Sequence, residues 1–217
     1  MPLTVEIWSD VVCPWCYIGK RRFEAALAQF PHRDDVTVRY RSFELDPTAE
    51  RSSEGGSPEA LAAKYGMSVE QARAMREQIT TLAAEDGLEY HLDATRGGNT
   101  LAAHRLLHLA EAHGLQEPAK ERLMRAYFTE GEPIGDDETL VRLLAEVGVD
   151  ADEARAVLAS DRYVAEVRED EDLARRMGIN GVPFFVLGRR YGVSGAQPAA
   201  ALLEALDKAY GELAAAG

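Results

Sequence analysis

The chain has 217 residues, 46% hydrophobic and 28% charged, with 37 acidic against 24 basic side chains and a formal net charge of −13. This is enough apolar content and length for one globular chain of one or two subdomains. The negative charge repels phosphate backbones and anionic lipid, which points away from nucleic acid and membranes and towards small molecules or proteins as partners.

Met1–Trp8 lacks a basic leader, and Glu6 and Asp10 break the apolar run, so neither a signal peptide nor a spanning helix is read there and a reducing, cytoplasmic setting is expected. Leu3–Ser9 and Val36–Phe43 are rich in β-branched and aromatic residues and predict strands. Between them a helix opens after Cys13 and closes before Pro31, completing a β-α-β unit. Arg51–Gly56, polar with paired serines and glycines, reads as a linker.

From Ser57 to Ser160 no strand pattern appears, only helix after helix. Ser57-Pro58 supplies an N-cap and a first-turn proline, and Ser68 and Gln71 have capping-box spacing ahead of Val69, Ala72, Met75, Ile79 and Leu82. Asn99 is expected to cap a helix that Gly114 ends, Pro118 to open one that Gly131 ends, and Asp136 one that Gly148 ends. A last long helix runs from Asp161 to Met177. Phe184–Leu187 and Arg190–Ser194 then predict strands joined over Gly188, and Pro198 starts a helix through Leu202, Leu203 and Leu206. The tail Leu213–Gly217 is expected to fray. The expected architecture is α/β, with β-α-β and β-β-α halves in residues 1–50 and 161–217 and an all-helical insertion at 51–160.

The only two cysteines, Cys13 and Cys16, stand three apart, too close to staple a domain of this size. Pro14 suits the first helical position, which sets Cys13 at or beside the N-cap, facing orphan N–H groups and the positive end of the helix dipole. Both favour a thiolate, the species that attacks a disulfide. Cys16, one turn on, lies within disulfide reach and can resolve the mixed disulfide. Neither intervening residue is histidine, so support for the thiolate falls to backbone, dipole and neighbours. A zinc site needs two further ligands, and among the histidines His32, His91, His104, His108 and His113 only His104 and His108 share a helical face; no metal is expected. A structural disulfide here closes too short a loop to gain much.

Gly181-Val182-Pro183-Phe184-Phe185 sets a proline at the start of a strand. A cis Val182–Pro183 bond fits this place and lets the Val182 backbone pair with an extended peptide or thiol ligand over Cys13. A trans, strand-opening proline is the alternative.

The order of strand, C-x-x-C, helix, strand, helical insert, Val-Pro, two strands and helix resembles the thioredoxin superfamily in its DsbA-like form over nearly the whole chain. Within it the chain looks most like the FrnE-like branch. The motifs that carry this are Ser9-Asp10-Val11-Val12-Cys13-Pro14-Trp15-Cys16-Tyr17-Ile18-Gly19, Phe43-Glu44-Leu45-Asp46-Pro47, Asn99-Thr100-Leu101-Ala102-Ala103-His104-Arg105-Leu106 and Gly181-Val182-Pro183-Phe184-Phe185-Val186. The resemblance implies a thioredoxin fold, Cys13 as nucleophile, a cis Pro183, and disulfide exchange with protein or small-molecule thiols. The branch is related to 2-hydroxychromene-2-carboxylate isomerases and kappa-type glutathione transferases, which carry serine where this chain has Cys13. Their Ser- or Gln-Asp pair after the glycine before the last helix is replaced here by Gly195-Ala196-Gln197-Pro198, which weakens a glutathione-site reading. The second cysteine pair of some family members is absent.

Asp10 either moves a proton near Cys13 or caps the helix, and Glu44 is read as a solvated strand-end carboxylate rather than a proton acceptor. Trp15 offers an exposed aromatic face for docking substrate. Asn99 and His104 line a substrate cleft if they follow the isomerase relatives; as structure alone, Asn99 caps and His104 packs. Lys20-Arg21-Arg22 is read as mostly a solvated face. The leading reading is a dithiol–disulfide oxidoreductase without organic cofactor, glutathione being a conceivable co-substrate. Alternatives are a glutathione-dependent transferase or isomerase using the Cys13 thiolate without redox cycling, and a non-catalytic binding module. Periodicity assigns no oligomeric state and no physiological substrate.

Overall fold

The computed structural model describes residues 2–51 and 57–215. Most of the expected linker and the last residues of the expected fraying tail lie outside them. Two compact units emerge, residues 1–45 with 168–217 and residues 46–167. The boundaries stand a few residues from those expected. Asp46–Glu50 is held inside the second unit, where Glu50 O accepts Asn99 N at 2.9 Å. The other boundary falls within one continuous helix.

The first unit is built on four strands, β1 (Leu3–Ser9), β2 (Val36–Ser42), β3 (Phe184–Leu187) and β4 (Tyr191–Ser194), in the order β2-β1-β3-β4. β1 runs parallel to β2, with Leu3 opposite Val36, and antiparallel to β3, with Trp8 opposite Phe184. Strand alternation sends Leu3, Val5, Ile7, Phe185 and Leu187 to one face. There they meet Phe23, Ala26 and Phe30 around α1 (Pro14–Gln29) and Leu202, Leu206 and Ala209 of α9 (Ala199–Ala215). Trp8 and Val186 point to the other face and pack on Ala174 of α8 (Val164–Arg176) and on Ile179. α8 begins three residues later than the sequence predicts, because Tyr163 sits at φ +64, which a helix cannot include.

Charged groups fasten α8 to the second face. Arg41 Nε donates to Glu6 Oε1 at 2.9 Å and its Nη1 to Asp170 Oδ1 at 2.7 Å, while Ser42 N donates to Asp170 Oδ2 at 2.9 Å. Trp8 Nε1 donates to the Asp170 carbonyl at 2.9 Å. Burial alone would lower the Arg41 pKa, but the Glu6 and Asp170 carboxylates more than offset it and hold it raised.

The second unit is helical: α2 (Pro58–Tyr65), α3 (Val69–Glu85), α4 (Leu101–Ala112), α5 (Gln116–Arg125), α6 (Asp137–Ala145) and α7 (Ala151–Leu158). Ser57 caps α2, and Ser68 with Gln71 forms both bonds of a capping box on α3. Two expectations need correction. Thr100 rather than Asn99 holds the N-cap position of α4, because the Asn99 carboxamide reaches the Leu101 N–H two residues on. α5 opens at Gln116, two residues before Pro118, and is prolonged by a π-helical turn at Ala126–Glu130 before Gly131, at φ +69, ends it. α7 is not named by the sequence reading, although Asp150 caps it by accepting Glu153 N at 2.8 Å.

Asp136 accepts Thr139 N at 2.8 Å and caps α6. Asp136→Ala is expected to cost about 1 kcal/mol of stability, measured by denaturant unfolding. The backbone N–H of Thr139, then its hydroxyl, holds the Asp136 carboxyl below the usual carboxylate range. Its contribution is therefore present above the unfolded pKa of about 3.9 and fades as pH falls through the lower folded value. Asp136→Asn keeps an acceptor without titrating, so that part of the acid-unfolding curve should flatten. An unchanged curve argues against the cap.

One crossing in this unit is unusually close. The Arg51 backbone lies against Gly98 and Gly135, and a Cβ on either glycine would overlap the Arg51 carbonyl oxygen.

Candidate active site

β1 delivers the chain through Asp10 into α1, whose first turn is fixed from both sides. Cys13 is the N-cap, with φ −87 and ψ 114, and Pro14 follows at the first helical position. Cys13 N donates to Asp10 O at 3.3 Å and Cys16 N to Cys13 O at 3.0 Å. Both cysteines are free thiols, 4% and 2% exposed, one helical turn apart. The Cys13 side chain makes no capping hydrogen bond, and its sulfur stands at the N-terminal, positive end of α1.

The Val182–Pro183 peptide is cis, and the Cys13 thiol donates to the Val182 carbonyl across 3.6 Å. The far side of that loop is tied down by Gly195 N, which donates to Pro183 O at 2.8 Å. Gly19 makes the approach of α1 possible: a Cβ there would stand 2.8 Å from Pro183 Cγ, inside van der Waals contact. Gly19 closes the first motif of the resemblance, but no local signal marks it as a packing site until its neighbour, 164 positions on, is known.

Asp10 is fully buried, and its Oδ2 accepts Leu45 N at 2.9 Å. It thus pins the segment after β2 to the active-site loop. Glu44 corrects an expectation, for it is only 5% exposed. Its carboxylate pairs with Arg168, which also donates to Glu171 Oε2 at 2.7 Å, and Glu44 N donates to Glu171 Oε1 at 3.2 Å. Lys20 corrects a second one: it is buried and paired with Glu24, while Arg22 donates to Ala196 O at 2.7 Å. Trp15 is 38% exposed, the aromatic beside the sulfurs that solvent reaches.

Asn99 and His104 belong to the other unit. Asn99 Nδ2 donates to Pro47 O at 3.2 Å and its Oδ1 accepts Leu101 N at 2.9 Å, which joins the incoming segment to the start of α4. His104 is buried on α4, and His108 stacks on Tyr163 at 6.2 Å between centroids. Arg105, in the same motif, donates to the Val157, Ser160 and Arg162 carbonyls and so closes the C-terminal end of α7.

A parallel β-α-β unit, an antiparallel β-β-α unit, a C-x-x-C at the start of α1 and a cis proline beside it define a thioredoxin fold carrying a dithiol site. A family profile described as DSBA-like thioredoxin domain matches residues 4–207, and the chain belongs to that family of DsbA-like thioredoxin-fold oxidoreductases. It is 50% identical to a probable DsbA oxidoreductase from Streptomyces coelicolor, with a TM-score of 0.92 over 97% of this chain and 91% of that one. It is 27% identical to the uncharacterized protein YwbO of Bacillus subtilis over 87% of this chain and 88% of that protein. A 2-hydroxychromene-2-carboxylate isomerase structure shares the fold, with a TM-score of 0.72 at 17% identity over 97% and 96% of the two chains. No helix among the described residues is long and apolar enough to cross a membrane.

Proposed function

We propose that the protein is a dithiol–disulfide oxidoreductase acting on protein or small-molecule disulfides, with Cys13 as nucleophile and Cys16 as resolving thiol. The observation that carries this reading is the position of Cys13, at the N-cap of α1 with its sulfur 3.6 Å from the Val182 carbonyl of the cis loop. The Cys13 thiolate attacks one sulfur of the substrate disulfide; a bond forms between them and the other substrate sulfur leaves as a thiolate. The Cys16 thiolate then attacks Cys13 Sγ, closing the Cys13–Cys16 disulfide and expelling the second substrate thiolate. Two electrons pass from protein to substrate, and the reverse sequence oxidises a dithiol.

The Val182 and Pro183 backbone, Trp15 and Pro14 are assigned to substrate binding, and Asp10 to holding the loop that carries Cys13. No organic cofactor or metal enters the scheme, glutathione serves as a possible co-substrate, and the compartment assigned is the cytoplasm. The test is the reduction potential of the Cys13–Cys16 couple, read by thiol trapping in glutathione buffers. A value near roughly −270 mV fits a reductase and one near roughly −120 mV a thiol oxidant. If no disulfide forms at any poise, the reading is wrong.

A further inference from the structure

We propose that the helical unit holds a second binding site, independent of the thiol chemistry, for a small organic monocarboxylate seated on Arg76. The buried stripe of α3 is Ala72, Arg76, Ile79 and Ala83, so an arginine occupies a core position of an amphipathic helix. The other buried guanidinium of this unit is satisfied, since Arg105 donates to three backbone carbonyls. Arg76 differs. Its side chain is 9% exposed, and its Nη1 and Nη2 are buried with no hydrogen-bond partner. Asp93 Oδ1 stands 2.9 Å from Nη2 without hydrogen-bond alignment, and the Asp93 side chain is 97% exposed. A guanidinium shielded from water and left short of acceptors is poised for an anion that supplies two aligned oxygens.

The space for that anion is present. Arg76 lines a cavity of about 670 Å³, within the range that holds small ligands. Tyr90, stacked on Phe128 at 4.6 Å, gives it a flat wall, and Leu92 and Pro58 give apolar surface. Arg73 and Thr80 add donors, whereas Glu77 and Asp93 add negative charge. His91 is already held by Thr129 O and Glu89 Oε1. Mixed charge of this kind disfavours a polyphosphate and suits one carboxylate attached to a flat apolar body. Asp93 occupies the place which that carboxylate takes.

Benzoate is the probe, with neutral benzamide and inorganic phosphate as comparators, titrated into the full chain by calorimetry or protein-observed NMR. Benzoate should bind saturably at one site, and more tightly than either comparator. Asp93→Asn, at an exposed position that leaves the fold intact, should tighten benzoate about twofold to fivefold by removing the competing carboxylate. Arg76→Gln should weaken it about tenfold or more. Cys13→Ser should leave the affinity unchanged. The proposal is overturned if benzamide or phosphate binds as well as benzoate, or if Asp93→Asn leaves affinity unchanged or lowers it. The Asp93 variant decides the matter even if Arg76→Gln fails to fold.

Discussion

Cys13→Ser is expected to abolish disulfide turnover, and Cys16→Ser to stop it one step later with substrate still covalently attached to Cys13. A serine hydroxyl does not form the S–S bond on which exchange depends, so the first variant has no route into the mixed disulfide. The second retains that route and loses the exit. Cys13 Sγ remains at the start of α1 beside the Val182 carbonyl, while the group that expels the product, one helical turn on, is gone. Both side chains are buried, and serine is smaller than cysteine, so neither change overpacks the site. Mass spectrometry of the Cys16→Ser protein after incubation with a model disulfide should find the adduct on Cys13, removable by dithiothreitol. Undiminished turnover by Cys16→Ser would reject the resolving role and favour a glutathione-dependent transferase or isomerase that uses Cys13 alone. Full activity of Cys13→Ser would remove the redox reading altogether.

Gly135→Ala is expected to be the most damaging single methyl in the helical unit. Its Cβ would lie 2.9 Å from the Arg51 carbonyl carbon and closer still to the oxygen, and both are backbone atoms that no rotamer change can move. Relief requires the crossing of the Arg51 segment with Gly98 and Gly135 to open, and the expected loss is about 3 kcal/mol, the upper part of the range for overpacking. The φ of Gly135 is not positive, so the loss measures crowding rather than backbone strain. Gly211→Ala is the matched control. It lies within α9 with nothing near its would-be Cβ, and alanine there should stabilise the helix by up to about 1 kcal/mol. Denaturant unfolding of both variants should move in opposite directions, and equal midpoints would disprove the steric account.

Elements whose signals are local were legible from the sequence. Leu3–Ser9 and Phe184–Leu187 match their predicted strands residue for residue, since β-branched and aromatic runs are bounded there by turn residues. Cys13, Pro14 and Cys16 were legible for the same reason, a proline at a first helical position fixing the register of all three. What escaped is what long-range partners decide. Glu44 is buried because Arg168, 124 positions away, pairs with it, and Lys20 is buried as well, paired with Glu24. No local pattern distinguishes these from solvated charges. The short α7 is hard to read although Asp150, Asp152 and Glu153 mark its first turn, because Gly148 ahead of it reads equally well as the start of a loop. The residue type of Asn99 suggests an N-cap, but one position separates a cap from an Asx-turn.

The pairing of Cys13 with Val182 spans 169 positions of chain, and β3, which carries the segment after that loop, lies between β1 and β4 in the sheet. During synthesis at about 5–20 residues per second, Cys13 therefore leaves the ribosome roughly 8–34 s before its carbonyl partner exists. Over that interval β1 has one unpaired edge and the two thiols lack the loop that later covers them. The nascent N-terminal half is consequently the stage at which this chain is most open to strand addition and to adventitious thiol oxidation, and both hazards end together when β3 closes the sheet.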